Sequence, residues 1–387
     1  MRKQMLFWFN EAFGYTDAVQ VFFSPGRFNI LGEHLDYNGG HVLPGAMELG
    51  TYIAAAARSD TLLNIRSRQM QDACMVDLTK PLPAEKGWWR YVAGAVVTIC
   101  QQARKFQGLD LLLHSTLPIG AGLSSSASVT AGTAYATAYF LQLHPSCAEL
   151  AVWSKRAENE FAGVPCGYLD PFAICCARRG YALLLNCSSL HYRYIPVHMH
   201  AYAFIIVDSG TRRTLAEAPF KQRAEECAHA KRMLRRLLPI EELADVTPHQ
   251  FYSVAHWMVD EVAYRRARHV VGENARVLTA AESLNDATAH RLARLMHASH
   301  VSLRDYYEVS TPQLELLVAM TRTVPGCLAT RISGAGFGGC VLSLIRRSAY
   351  AHFIDVVSEK YRKACGFDAA FYPADFSDGV RLLTAGE

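Results

Sequence analysis

Apolar positions along this chain fall into two spacings, short alternating or unbroken runs and longer stretches that repeat every three or four residues. The runs Val19 to Phe23, Thr51 to Ala57, Thr61 to Ser67, Leu109 to Ser115 and Tyr181 to Cys187 predict strands. Trp89 to Phe106, Ser125 to Leu141 and Ser146 to Phe161 predict helices. After a strand-like Ala203 to Asp208, the stretch from Leu215 to Met320 predicts successive helices, and strands return at Cys340 to Ile345, Ala369 to Tyr372 and Val380 to Leu383. This mixture predicts an α+β or α/β protein. No internal repeat and no Gly/Ser-rich or Pro-rich linker cuts the chain, so the expected boundary is tight. It is placed near residue 200, giving lobes 1–200 and 201–387 with the chemistry between them.

Composition narrows the class. With 51% hydrophobic and 19% charged side chains in 387 residues, disorder is excluded as the main theme. The longest apolar runs, such as Tyr52 to Ala57 and Val92 to Ile99, fall short of the roughly 18 residues a membrane helix needs, so a soluble protein is expected. A formal charge of +4, scattered along the chain, offers no footprint for a nucleic-acid backbone. The eleven cysteines are odd in number and form no CxxC pair, and the start, Met1 to Leu6, shows no apolar core followed by a small-residue cleavage site. A reducing cytoplasm is expected, with Cys100, Cys175, Cys176 and Cys187 as small buried hydrophobes and the protein a monomer or weak dimer.

Three glycine-rich segments carry the candidate chemistry. Leu117 to Ser128, reading Leu-Pro-Ile-Gly-Ala-Gly-Leu-Ser-Ser-Ser-Ala-Ser, follows a strand and opens an Ala-rich helix. Gly120 and Gly122 let the backbone approach a ligand, the amides of the helix's first turn are free, and the dipole favours an anion. The same serines would also serve an ordinary capped helix. Without Gly-Lys-Ser/Thr the segment is not a Walker A loop, and the chain lacks the His-Arg-Asp and Asp-Phe-Gly of protein kinases. Ile332 to Cys340 contains GxGxxG at 334, 336 and 339, but a strand follows where a dinucleotide fold needs a helix, so a turn pressed on a ligand or another loop is expected. In Ser24 to Gly40, Arg27, Glu33, His34 and Asp36 crowd between glycines, a set able to bind polyol hydroxyls and an anion.

Together these segments resemble the GHMP small-molecule kinases and, within them, the galactokinase branch. Gly26 to Gly40 is similar to that branch's sugar-binding signature, Pro118 to Ala127 to the phosphate-binding motif and Ser333 to Cys340 to the third motif, in order over residues 9 to 384. Ala157 to Asp170 resembles the stretch ending in the catalytic aspartate. The resemblance implies a two-lobed α+β fold with its active site in the cleft. It also implies transfer of the ATP γ-phosphoryl group to the anomeric hydroxyl of galactose, with Mg²⁺. Asp170 and Arg27 would be catalytic; Glu33, His34, Asp36, Gly167, Gly336 and Phe220 would meet the sugar; Trp88, Gly120, Gly122, Ser124, Ser125 and Ser126 the nucleotide; Ser126 and Glu158 the metal. Without the resemblance, Asp170 also reads as the cap of a helix beginning at Pro171, although its spacing from Glu158 favours catalysis, and Glu158 reads as a solvated helix face, Trp88 as core, and His297 with His300 as structural. The chain departs from the family at Pro171, where Gln is usual, at Phe220, where Tyr is expected, and at Tyr306. These keep open a kinase for N-acetylgalactosamine, galacturonate or arabinose, and a non-catalytic sensor on the same fold.

Overall fold

A computed structural model of the chain describes residues 1–71, 73–164, 166–211 and 217–386, the side chain of Glu217 excepted. Leu215, the expected helix start, and Pro165, within the fourth quoted stretch, lie outside the described residues.

Strands are numbered in chain order. A six-stranded sheet runs β13 (Arg381–Leu382), β1 (Gln20–Asn29), β3 (Pro44–Ala57), β6 (Leu109–Ser115), β4 (Leu62–Ser67), β5 (Cys74–Asp77). Its pairs are antiparallel except β4 with β6, which are joined by the crossover containing α2 (Trp89–Ala103). The sheet is covered on both sides, which explains why β1 is buried along nearly its whole length. Val21, Phe23, Ala54, Ala56 and Leu112 face Met5 and Phe9 of α1 (Arg2–Phe13), while the intervening Phe22, Ile53, Ala55, Leu111 and Leu113 face Val92, Val96 and Cys100 of α2. Beside it lies a small sheet β2 (His41–Val42), β7 (Tyr181–Asn186), β8 (Tyr192–Pro196).

Helix α3 (Ser125–Phe140) follows the serine-rich turn and is buried almost all round by alanines and threonines. A Cβ on its Gly132 would stand 2.7 Å from Ser24 Cβ and from Ile53 Cδ1, so the helix lies directly on β1 and β3. Next come α4 (Cys147–Ala157), closed by a capping box between Ser146 and Glu149, a π-helical turn Glu158–Ala162, and α5 (Leu169–Cys175).

The second part is built on an antiparallel sheet β10 (Cys327–Ser333), β11 (Cys340–Arg346), β9 (Tyr202–Asp208), β12 (Ala370–Pro373). Around it run α6 (Glu217–Leu234), α7 (Pro248–Val254), α8 (Glu261–Ala281), α9 (Ala289–Asp305), α10 (Pro312–Arg322) and α11 (Tyr350–Cys365). Because β10 and β11 form a hairpin, the glycines between them are a strand-to-strand turn, as expected. The sheets separate around residue 200, but β13 pairs with β1, so the chain end rejoins the first sheet.

Three substantial elements escaped the hydrophobic pattern. Helix α1 buries only Met5 and Phe9, α11 buries the thin stripe Phe353, Val357 and Tyr361, and β10 carries Thr330 and Arg331 at buried positions. The helices expected at Trp89 to Phe106 and Ser146 to Phe161 are shorter. Arg104 ends α2 in the left-handed region, and the π-turn replaces the last turn of α4.

Candidate active site

The first two glycine motifs meet at the end of β1. Register between β1 and β3 shifts between Pro25 and Arg27, and a bulge of this kind re-aims the following side chain. A Cβ on Gly26 would meet Leu123 O at 2.9 Å, so only glycine lets β1 lie against the turn before α3. Arg27 then donates from its backbone to Leu123 O and from Nη1 to Gly122 O at 2.8 Å. Its Nε donates to Asp170 Oδ1 at 2.6 Å. Burial works against the charge on Arg27, but Asp170, Glu33 and Asp36 outweigh it and raise the pKa.

Asp170 lies within the first turn of α5 rather than capping it: the helix begins at Leu169, after Tyr168. Its other oxygen, Oδ2, accepts from Ser124 Oγ at 2.5 Å. Ser124 occupies the cap position of α3 in the left-handed region, φ 60°, yet makes no capping hydrogen bond. The capping alternative for that serine therefore fails. The side chain of Asp170 keeps 30% of its surface accessible, while that of Arg27 keeps 9%, so the carboxylate faces the opening and the guanidinium backs it. Gly120 and Gly122, at φ 75° and 81°, shape the loop leading to the α3 amides, and Cys340 Sγ of β11 fastens it by donating to Ala121 O at 3.1 Å. Ser125 lies half-buried in the first helical turn.

Ser126 and Glu158 are brought together. Glu158, 3% exposed at the start of the π-turn, accepts from Thr130 Oγ1 at 3.2 Å. Burial pushes its pKa up to about 7, against hydrogen bonds from Cys166, Thr130 and Ser126 and with the charge of Asp170 adding to it. A buried carboxylate among hydroxyls, with no ion-pair partner among the described residues, is a hard-oxygen donor set that suits Mg²⁺ shared with phosphates. Among the described residues there is no cluster of three His, Cys, Asp or Glu able to form a self-contained metal site.

Asp36 stands behind Gly167. A Cβ there would fall 1.8 Å from Asp36 Oδ2, so the glycine is required by the carboxylate. Burial, then the charges of Asp170 and Glu33, push Asp36 up to about 7.

Glu33 and His34 turn toward the second lobe. Glu33 accepts from Gly334 N at 2.8 Å and Asn29 Nδ2 at 3.1 Å and pairs with Arg331 at 3.2 Å. Arg331, fully buried, also donates to the carbonyls of Asn29 and Ile30. His34 Nε2 bonds Ala335 O at 3.1 Å and, since a carbonyl only accepts, carries the proton. Nδ1 therefore accepts from Tyr37, whose oxygen accepts from Tyr307 at 2.7 Å. Phe220, from α6, lies on this wall with its ring 5.9 Å from His34 and 5.3 Å from Tyr37. Gly336 packs on the chain at Val309, whose carbonyl a Cβ would meet at 2.4 Å. Trp88 lies at the head of α2, packed on its core, with Nε1 buried and without a hydrogen-bond partner among the described residues.

Sequence reading missed Arg331, Tyr37 and Tyr307. Arg331 is the charge inside the apolar run Cys327 to Ser333, a signal available once that run is read as a strand. Nothing local distinguishes Tyr307 from Tyr306.

Comparison with known proteins adds an independent line. Residues 8–57 match the galactokinase galactose-binding signature, 90–178 the GHMP kinase N-terminal domain and 280–363 the GHMP kinase C-terminal domain. The chain is 36% identical to the galactokinase of Bacillus subtilis over 99% of both chains, and 38% identical to that of Lactiplantibacillus plantarum over 97% of this chain and 98% of the other. The solved Lactococcus lactis galactokinase, complexed with galactose, superposes with a TM-score of 0.93 at 32% identity over 98% of this chain and 99% of that one. A mevalonate kinase of Methanococcus jannaschii, at 18% identity over 96% of this chain and 100% of that one with a TM-score of 0.67, shares the fold.

Proposed function

From the premise that this chain belongs to the galactokinase family of GHMP kinases, we propose that it transfers the γ-phosphoryl group of ATP to the C1 hydroxyl of galactose at Asp170 and Arg27. The observation that carries the site reading is the arrangement around Asp170: one carboxylate oxygen on Arg27 Nε, the other on Ser124 Oγ, at the mouth of the glycine turn that opens α3.

Phosphoryl transfer needs positioning and charge neutralisation more than covalent help. Asp170 accepts or orients the proton of the C1 hydroxyl as the oxygen attacks. Arg27 fixes that carboxylate and stabilises the charge on the transferring group. The amides and hydroxyls from Gly120 to Ser126 cradle the triphosphate, and Trp88 meets the base. Ser126 and Glu158 are the residues that would hold Mg²⁺, which neutralises phosphate charge when bound. Glu33, His34, Asp36, Gly167, Gly336 and Phe220 form the sugar side. Lobe 1–200 contributes the reacting centre, and lobe 201–387 closes the wall by meeting Glu33, His34 and Tyr37 of the first lobe. We place the enzyme in the cytoplasm as a monomer or weak dimer. Among the described residues, no helix is long and apolar enough to cross a membrane.

A kinase for another sugar and a non-catalytic sensor are not favoured by the relatives, which carry the galactokinase name over their full length. The test is ADP release with ATP, Mg²⁺ and galactose, N-acetylgalactosamine, galacturonate or arabinose. Galactose is expected to give the highest kcat/KM. Calorimetric binding of galactose without ADP release would establish a sensor, and a higher kcat/KM for another sugar would reassign the substrate.

A further inference from the structure

Outside the cleft, three cysteines and two tyrosines converge where α4, α5 and β8 meet. Cys147 is the first residue of α4, directly after the Ser146 cap, where the helix's free amides and dipole favour an anion. It is partly accessible. Its Sγ lies 3.1 Å from Tyr192 Oη of β8, and the thiol of Cys176, the residue that ends α5, faces it. Cys176 is buried, 2% exposed, and its carbonyl accepts from Tyr194 Oη at 2.9 Å, which holds the chain end in place. Cys175 lies beside it, buried against α4.

We propose that Cys147 and Cys176 are a peroxide-responsive thiol pair, Cys147 being the attacking thiolate and Cys176 the resolving thiol. None of the residues assigned to phosphoryl transfer belongs to it. Three features favour the thiolate at Cys147: the helix N-terminus, the Tyr192 hydroxyl and the Cys176 thiol donating to it. The hydrogen bond from Cys176, opposed by burial and helped by Tyr192, pulls Cys147 down to about 6. The other titratable groups facing it stay neutral. Tyr192 and Tyr194 of β8 and Cys175 and Cys176 of α5 are all raised, Cys176 and Tyr192 chiefly by their hydrogen bonds to Cys147, Cys175 and Tyr194 chiefly by burial. Arg178 stacks over Tyr181 and Tyr194.

The chemistry balances with hydrogen peroxide as oxidant. The Cys147 thiolate attacks one peroxide oxygen, the O–O bond breaks, and the products are Cys147 sulfenic acid and hydroxide. Cys176 sulfur then attacks the sulfenic sulfur, forming the S–S bond. The thiol proton leaves with the displaced hydroxyl group as water. The hydroxide takes up the proton that Cys147 released on ionising, so two thiols are oxidised by two electrons in all and one peroxide is reduced to two waters. The resulting disulfide ties the start of α4 to the end of α5, the two helices that lead to Glu158 and from Asp170.

The full-length, pre-reduced chain is treated with about one equivalent of hydrogen peroxide and its disulfides are mapped by mass spectrometry without reduction. The expected product is the Cys147 peptide joined to the Cys176 peptide, reversed by dithiothreitol. Cys176→Ser should accumulate a dimedone-reactive sulfenic acid at Cys147, and Cys147→Ser should form neither product. On the unmodified chain, iodoacetamide labelling of Cys147 should reach its half-maximal rate near pH 6. At pH 6.5 it should run about fivefold faster than an ordinary accessible thiol, after allowing for the lower nucleophilicity of a low-pKa thiolate. Absence of the joined peptides from the folded wild-type chain would overturn the pair. A Cys147 labelling rate still rising through pH 8.5 would overturn the thiolate.

Discussion

Two regions of the cleft are built from similar residue types and behave differently. At the reacting centre, Asp170 is backed by Arg27 and Ser124 and keeps 30% of its side-chain surface accessible, while Glu158 lies buried beside it with no ion-pair partner among the described residues. On the opposite wall, Glu33, Arg331, His34, Tyr37 and Tyr307 are tied together across three chain segments. A carboxylate surrounded by donors contributes rigidity. One left with few donors is available to a substrate and carries the titration of the site. The same contrast orders the experiments below.

Breaking the reacting centre should have the largest effect. Asp170→Asn preserves the shape but replaces an acceptor of two hydrogen bonds by an amide beside Arg27, so kcat should fall by orders of magnitude, roughly 10²–10⁴-fold for loss of a general base. ATP affinity, measured by calorimetry, should stay near that of the parent. Turnover within tenfold of the parent would remove Asp170 from the point of transfer.

Breaking the wall should appear as lost stability first. Arg331 is fully buried, and Arg331→Met leaves Glu33 in the interior without its cation. Removing one partner of a buried pair costs about 3–5 kcal/mol. Urea unfolding should show that loss, with part of it recovered in the double variant Arg331→Met, Glu33→Gln. A fully folded variant with unchanged midpoint would show that Gly334 and Asn29 suffice to hold Glu33.

The same contrast governs what the sequence could reveal. Arg27, the serine turn and Asp170 each sit in a contiguous motif with the turn glycines and polar groups needed for local geometry, so their chemistry is legible residue by residue. The wall is not. Arg331 lies 302 residues from one of its acceptors, Asn29, and Tyr307 reaches Tyr37 over 270 residues, pairings that arise only when β10 and the end of α9 meet the first lobe. Fold class and most strands followed from spacing, because both faces of the first sheet are covered and read as apolar runs. Helix α11 and strand β10 did not, since a three-residue stripe and a buried arginine leave little contrast.

A pH experiment separates the regions without unfolding either. Asp36 and Glu158 both rise to about 7 on folding, above ordinary carboxylates at about 4. Between those values the folded state binds more protons than the unfolded, so their contribution to stability falls as pH rises from about 4 to about 7. Without ligand, Tm measured from pH 5 to 8 should therefore fall less steeply in Asp36→Asn than in the parent. Identical slopes would mean that Asp36 is ionised throughout. At low pH the wall acts in the opposite sense: Glu273, which accepts from Gly32 N and Ser299, is drawn down to about 2, against burial, by Arg276, His269 and Arg331. Its contribution is present above about pH 4 and is lost as pH falls toward 2.

The smallest effect belongs to Phe220, where the two regions touch. Its ring packs on His34 and edge-on to Tyr37, so the position is fixed by aromatic contacts that a tyrosine can also make. Phe220→Tyr adds a hydroxyl without changing that packing. A new neutral hydrogen bond is worth about 0.5–1.5 kcal/mol, so selectivity should shift by about two- to tenfold. If the added hydroxyl reaches the sugar, kcat/KM for galactose should rise relative to its deoxy and 2-acetamido analogues, with Tm and ATP affinity unchanged. If it is taken up by the wall, Tm should rise and the selectivity ratios stay put, which would assign Phe220 to the closed region and leave sugar discrimination to Asp36 and the backbone at Gly167.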